Sequence, residues 1–280
     1  MPGESGSLVT DEVTTKSVTP SLEPALLPAP KRNTSLKAEA GPYRLRFAET
    51  REDFEGAYRL RFFVFNLELG EGPESAYQDG YEKDEFDEVC DHLLVEDTRS
   101  QEIVGTYRLQ TGAAAARNLG YYSAREFDFR PYEPLRNVLV ELGRACIHRD
   151  HRSFEVLTLL WRGIAAYAQE RSARYLVGCS SLTSQSPSEG RAIYSQLQDF
   201  LTEPSLQTVP LTAYQLPVEA HSSPRELRPP KLLRAYLSIG ARICGAPAID
   251  RAFKTIDFLT LLDLEAMYSG ARARFLGGAK

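Results

Sequence analysis

Residues 138–147 read Val-Leu-Val-Glu-Leu-Gly-Arg-Ala-Cys-Ile. Residues 148–153 follow as His-Arg-Asp-His-Arg-Ser, and 154–170 as Phe-Glu-Val-Leu-Thr-Leu-Leu-Trp-Arg-Gly-Ile-Ala-Ala-Tyr-Ala-Gln-Glu. The first run is apolar and partly β-branched, suited to the middle of a sheet. Glu141 and Arg144 interrupt it, and a charge inside a sheet is costly unless it is paired or used. In a regular strand two residues three apart point to opposite faces. Gly143 tolerates the bulge that would turn one of them round. A bulge near Leu142–Gly143 would let Glu141 and Arg144 converge, beside Gly143, on one cleft as a site; in an unbroken strand the two read as edge charges.

After Ile147 the loop His148, Arg149, Arg152, Ser153 is rich in hydrogen-bond donors. The period then becomes helical, with Leu157, Leu160, Trp161, Ile164 and Ala168 on one stripe. A strand, a donor loop and a helix start form an anion pocket, because the first helical N–H groups are unpaired. An ordinary strand–helix crossover has the same outline. Arg174–Ser180 reads as the next strand, so 138–180 is a βαβ unit with a parallel pair.

Upstream, Tyr43–Phe47 alternates as a half-exposed strand, and Thr50 with Asp53 opens a helix as a capping box. Phe54, Tyr58 and Phe65 share one face of that helix with Arg61. An arginine on an apolar stripe either snorkels or binds an anion inside the fold. The acidic, aromatic-dotted stretch 66–91 is long for a connection and reads as functional. His92–Glu96 and Ile103–Gln110 form a hairpin, with Arg108 late in its second strand. Helices are expected over about 186–200 and 230–240, and Thr255–Leu262 closes the fold as a strand. Hairpin strands before a βαβ crossover give an α/β fold: a mixed central sheet flanked by helices, in a single domain over 41–280. Residues 1–40, rich in Ser, Thr, Pro, Glu and Ala, read as a disordered leader.

The 280 residues are 42% hydrophobic and 25% charged, with net charge −5, an ordinary soluble composition. Residues 68–102 carry thirteen acids against Lys83 and Arg99, whereas 221–280 carry ten bases against five acids. A basic face for an acidic partner is one reading of that asymmetry, and an inert solvated surface the other. Cys90, Cys146, Cys179 and Cys244 are too far apart for a zinc motif, and no metal set forms around His148 and His151. Neither a signal peptide nor a run of ~20 apolar residues occurs. A cytoplasmic protein follows, with the inner membrane surface as a minority peripheral contact.

The segments Glu-Leu-Gly-Arg-Ala-Cys-Ile-His-Arg-Asp-His-Arg-Ser (141–153) and Leu-Leu-Trp-Arg-Gly-Ile (159–164) resemble the ornithine N-acyltransferases. So do Phe-Asp-Glu-Val-Cys-Asp-His-Leu-Leu-Val (86–95) and Tyr-Leu-Ser-Ile-Gly-Ala-Arg-Ile-Cys-Gly-Ala-Pro-Ala-Ile-Asp (236–250). The likeness covers about 41–276 and implies the GNAT acyltransferase fold. It also implies transfer of a (3-hydroxy)fatty acyl group from acyl carrier protein to the α-amino group of an amino acid, ornithine first among them, with no cofactor or metal. A more distant likeness is to acyl-homoserine lactone synthases. Their Arg-x-x-x-Phe, Asp-x-x-Asp, strand arginine and Glu-x-x-Arg pattern is matched by Arg61 and Phe65, Asp84 and Asp87, Arg108, and Glu141 with Arg144.

That resemblance makes Arg61, Phe65, Asp84, Asp87 and Arg108 substrate-binding candidates. His148, Arg149, Arg152 and Ser153 become acyl-carrier or pantetheine candidates. The glycine-rich loop of coenzyme A-dependent members is absent, since 148–153 has no glycine, which fits a carrier-protein donor. Glu141 is the candidate base, directly or through water. Backbone N–H groups at the bulge would hold the oxyanion, and Arg144 or Arg108 the amino acid carboxylate. Asp84 and Asp87 are expected to attract an ammonium. The alternatives are an acyl-homoserine lactone-like or other N-acyl amino acid synthase, and a non-catalytic carrier- or lipid-binding module. Nothing points to nucleic acid.

Overall fold

The structure, a computed structural model, describes residues 36–217 and 227–270, with residues 3 and 273. In chain order its strands and helices are β1 (Ala38–Ala40), β2 (Tyr43–Phe47), α1 (Arg51–Arg61), β3 (Asp91–Asp97), β4 (Glu102–Thr111), α2 (Gly112–Arg117) and β5 (Leu139–Ile147). Then come α3 (Phe154–Glu170), β6 (Tyr175–Leu182), α4 (Pro187–Gln196), α5 (Lys231–Ser238), β7 (Arg242–Ile243), β8 (Ala248–Asp250) and β9 (Thr255–Asp263). The strands make one sheet in the order β1-β2-β3-β4-β5-β6-β9-β7, with β8 on β9. Every pair is antiparallel except β5 with β6. This is the mixed, helix-flanked sheet the patterning implies.

Each expected element is present, and α2 with the short strands β1, β7 and β8 was not foreseen. The expected leader lies almost wholly outside the described residues. Its last residues form β1, paired Ala38 to Leu45 and Ala40 to Tyr43. Leu36, Ala38 and Ala40 pack against the main core, so order starts before Gly41.

The core explains the helix positions. The apolar stripe of α3, including Leu160 and Ile164, packs on Leu45, Leu93 and Val140 from the sheet. On the opposite side Phe127 and Tyr132 join Leu139, Val177 and Leu259. Helix α1 begins with the full Thr50–Asp53 capping box and runs on as a π-helical turn over Phe62–Glu68. π-turns of this kind recur at functional sites.

Strands β5 and β6 pair only through Leu139–Tyr175, Val140–Leu176 and Glu141–Val177. Beyond Glu141 they diverge, although β5 continues to Ile147. A Cβ on Gly178 would sit 2.2 Å from the Leu142 carbonyl oxygen, so glycine is required where the strands part. On its other side β5 does bulge: Thr106 pairs with Cys146 and Arg108 with Gly143. The extra residue falls at Arg144–Ala145, one or two places after the expected Leu142–Gly143. Arg144, not Gly143, takes the left-handed conformation, with φ 50°. That costs a non-glycine residue on the order of 1 kcal/mol or more, and the ion pairs described next hold it there.

Candidate active site

Three arginines and three carboxylates form a buried network beside the bulge. Arg61, fully buried, donates Nε to Glu82 Oε2 at 2.5 Å. Its two Nη atoms donate to the Asp87 oxygens at 2.8 and 2.7 Å. Arg108 Nη1 reaches Asp84 Oδ1 at 2.5 Å and Asp87 Oδ1 at 3.0 Å. Arg144 donates Nε to Glu82 Oε1 at 3.0 Å and Nη2 to Asp84 Oδ2 at 2.8 Å. The flanking arginines hold the Asp87 carboxyl far below the usual carboxylate range. Three positive and three negative charges close on one another. Arg61 thus does bind an anion inside the fold, one supplied by the 66–91 stretch.

Asp84 and Asp87, expected to attract an ammonium, meet arginines here. Their oxygens are committed to arginines, and neither they nor Arg61 line the adjoining cavity. Their carboxylates hold the Arg108 and Arg144 guanidinium groups in place. Arg108 does line the cavity, and its Nη2 is buried with no hydrogen-bond partner among the described residues. A buried guanidinium N–H without a partner is uncommon in folded proteins.

The cavity, about 830 Å³, fills the opening between β5 and β6. One part is apolar, walled by Val64, Leu142, Leu157, Trp161, Leu232 and Ala235. Phe65 also lines it and packs edge-to-face on Phe253. Its polar part includes Arg108, Tyr122, Glu141 and Arg144, so the bulge does turn Glu141 and Arg144 into one cleft. Glu141 Oε2 accepts from Gln110 Nε2 at 2.6 Å and Tyr122 N at 2.8 Å; Oε1 accepts from Ser123 N at 2.8 Å. Three of roughly four lone-pair sites are therefore filled, so the carboxylate also pins the 122–123 turn. Arg144 Nη2 lies 3.3 Å from the Tyr122 hydroxyl oxygen.

The donor loop divides. Only Arg152 lines the cavity. It pairs with Glu68 at 2.7 Å and donates to the Ile147 carbonyl. His148 stacks on Phe63 and accepts from Asp150 N. Arg149 lies over Phe63. Ser153 caps α3 by accepting from Val156 N. As they stand, His148, Arg149 and Ser153 shape the loop.

Four further carboxylates line the cavity: Glu71, Glu126, Asp250 and Asp257. All are buried. Ligand oxygens of Glu126, Asp250 and Asp257 lie within 4.8 Å of one another. Burial, with Asp257 and Asp250 nearby, pushes the Glu126 carboxyl well above its ordinary value. Burial raises Asp257 to about 6 and Glu71 to about 7.

A family model described as an acetyltransferase (GNAT) domain matches residues 60–162. The L-ornithine N(alpha)-acyltransferase of Brucella abortus (strain 2308) is 35% identical over 245 residues, 82% of this chain and 87% of the relative. The chain belongs to the L-ornithine N(alpha)-acyltransferase family. The enzyme of the same name from Agrobacterium fabrum is 31% identical over 262 residues, 88% of this chain and 89% of its own. Among solved structures, the acyl-homoserine lactone synthase LasI aligns with a TM-score of 0.48 at 12% identity, over 85% of this chain and 96% of that one.

The chain is therefore a GNAT-fold acyltransferase, and sequence reasoning missed part of its cavity. Gln110 and Tyr122 carried no signal beyond their residue types. Asp257 did carry one: it is an acid within an apolar strand, the same anomaly that singled out Glu141. Glu126, in a mixed connection, gave no periodicity to be out of step with.

Proposed function

We propose that this acyltransferase moves a fatty acyl group, 3-hydroxylated in the fullest form of the reading, from acyl carrier protein to the α-amino group of ornithine, releasing a lyso-aminolipid. The observation that carries the reading is one cavity whose wall joins an apolar arm to Arg108, Arg144, Glu141 and further buried carboxylates. The apolar arm suits the acyl chain, and Arg108 Nη2 suits the amino acid carboxylate. Phe65 walls the junction. Arg61, Asp84 and Asp87 act at one remove by fixing Arg108 and Arg144.

The α-amine attacks the thioester carbonyl, the new C–N bond forms, and the C–S bond breaks. The amine proton leaves through the remaining lone pair of Glu141 Oε1, directly or by a water. Backbone N–H groups of β5 beyond Glu141, which have no β6 partner, suit the developing oxyanion; Gly143 adds no side chain to obstruct them. The Tyr122 hydroxyl accepts from Arg144, so its own proton is available for the departing thiolate. Burial pushes that phenol up, and it stays protonated at neutral pH.

A single pantetheine phosphodiester would meet Arg152, with Arg149, His148 and the α3 start capped by Ser153 beside it. Lys231 on the cavity wall adds positive charge for an acidic carrier. Arg272 and Arg274 of the basic 221–280 stretch lie outside the described residues. No helix among the described residues is long and apolar enough to cross a membrane. Exposed Leu67, Leu69 and Phe154, close in sequence to Glu68 and Arg152, suit peripheral contact with a bilayer that receives the product.

The test is turnover by the purified chain with 3-hydroxyacyl carrier protein and a panel of amino acids, products identified by mass spectrometry. N-acylornithine is expected, and Arg152→Glu should raise KM for the carrier more than for ornithine. Equal turnover with acyl-coenzyme A overturns the carrier-protein donor. Binding without any product overturns the whole reading.

A further inference from the structure

Behind one wall of the cavity's apolar arm lies a second, smaller void of about 50 Å³. It sits inside the main core, lined by Leu176 of β6, Leu262 of β9, Tyr236 of α5 and Ala241. Roughly 10–15 Å³ is space enough for one water, and close-packed interiors leave few voids larger than that. Tyr107, Leu142 and Trp161 line both spaces, so their side chains stand between them. Trp161 is the largest of the three. It lies one helical turn beyond Leu157, which walls the same arm. Leu160 and Ile164, on the same stripe of α3, are fully buried and line neither space.

We propose that Trp161, braced by Tyr107 and Tyr236, is the stop that limits the length of the acyl chain this enzyme accepts. The inference rests on the acyltransferase reading above and adds to it the residue that selects among acyl donors. Tyr236 closes edge-to-face on the indole, with ring centroids 5.7 Å apart. Its hydroxyl is 2.6 Å from that of Tyr107. The brace therefore joins α3, α5 and β4 behind the arm, and Trp161 is only 6% exposed. Swinging the indole aside would push on Tyr236 and strain that hydrogen bond.

An acyl chain whose thioester carbonyl sits near Glu141 extends into the apolar arm, because each methylene it withdraws from water is favourable. A chain that ends at the indole fills the arm. A longer one either displaces the braced ring or leaves its last methylenes outside. A hydrophobic pocket tells one methylene from the next by about 10–200-fold. Truncating a side chain enclosed by the core leaves an isolated hole. Truncating the indole instead opens the arm into the void behind it, so the space gained is usable length.

The experiment gives the enzyme ornithine and acyl carrier protein loaded with a mixture of saturated, even-numbered acyl chains. Product ratios read by mass spectrometry give the relative kcat/KM of each length. Wild type should show a sharp upper limit. In Trp161→Leu the first chain beyond that limit should gain roughly tenfold or more against the wild-type optimum, with KM for ornithine unchanged. Trp161→Phe, milder for the fold, should shift the limit the same way by a smaller factor. Ala241→Val, which fills the void from behind, should leave the wild-type profile as it is and cancel the gain when combined with Trp161→Leu. Ala235→Phe, at an exposed α5 position on the arm wall, should lower the limit. A folded Trp161 variant with the wild-type length profile overturns the inference. So does an equal loss at every length, the mark of a purely structural indole, or an unmoved limit in Ala235→Phe. A changed amino acid preference with an unchanged acyl profile puts the amino acid in the arm and overturns it too. Wild-type enzyme that acylates ornithine without an upper length limit fails this inference alone. Enzyme that transfers no chain of any length fails the acyltransferase reading as well.

Discussion

Replacing Glu141 by glutamine should unfold this protein more easily, not merely slow it. The carboxylate accepts three buried N–H donors, from Gln110, Tyr122 and Ser123. Glutamine replaces one acceptor oxygen with an NH₂ group. Placed at Oε1, that group faces the Ser123 N–H; placed at Oε2, it faces both other donors. The better choice leaves one buried donor unsatisfied, which costs about 1–3 kcal/mol. It also turns two bonds to a charged acceptor into neutral ones, at roughly 1 kcal/mol each. Relief of carboxylate desolvation offsets part of this, so a net loss of about 3 kcal/mol is expected. For a domain of this size that lowers the melting temperature by roughly 6–12 °C. Differential scanning fluorimetry measures the shift, and kcat on the folded fraction should fall by about 10²-fold or more if Glu141 also takes the proton. A variant that melts within ~2 °C of wild type yet loses turnover would refute the argument. It would mean that Glu141 is an unencumbered base and that the turn at Tyr122–Ser123 does not depend on it.

Asp87→Asn should be more damaging still. It removes the charge shared by Arg61 and Arg108, both buried, and breaking a buried pair on one side costs about 3–5 kcal/mol; urea unfolding gives the value. The acidic end of the cavity predicts a pH dependence with a definite sign. Asp257 and Glu71 are raised to about 6 and about 7, above their unfolded values of about 4. Between those limits the folded state binds more protons than the unfolded one, so stability falls as pH rises through that window. The protein should melt lower at about pH 8 than at about pH 5.5. Acids with lowered values, such as Asp87, lose their contribution only below that window. A deletion of residues 1–40 removes β1 and its contacts with the core, and should lower the melting temperature by several degrees relative to a chain starting at residue 34.

Alternation and period wrote the scaffold into the sequence by themselves. Tyr43–Phe47, the hairpin, β5 and the stripe of α3 each carry a local pattern that only one kind of element buries well. The capping box at Thr50 and Asp53 is local in the same sense. Misplaced charges carried the site: Arg61, Arg108, Glu141 and Arg144 stand where an apolar fold would not tolerate them unpaired, and all four lie around one cleft or its frame. Tertiary structure alone decided what each charge meets. Asp84 and Asp87 have the composition of an ammonium site, but the loop carries them onto three arginines drawn from α1, β4 and β5, which neutralise them. The bulge falls on Arg144 rather than glycine, because the pairs to Glu82 and Asp84 outweigh the local strain. Glu126, Asp250 and Asp257 converge from a connection and two strands separated by more than a hundred residues of chain. Compensation of charge in a buried space depends on which residues the fold brings within a few ångströms, and no local pattern in a sequence encodes that.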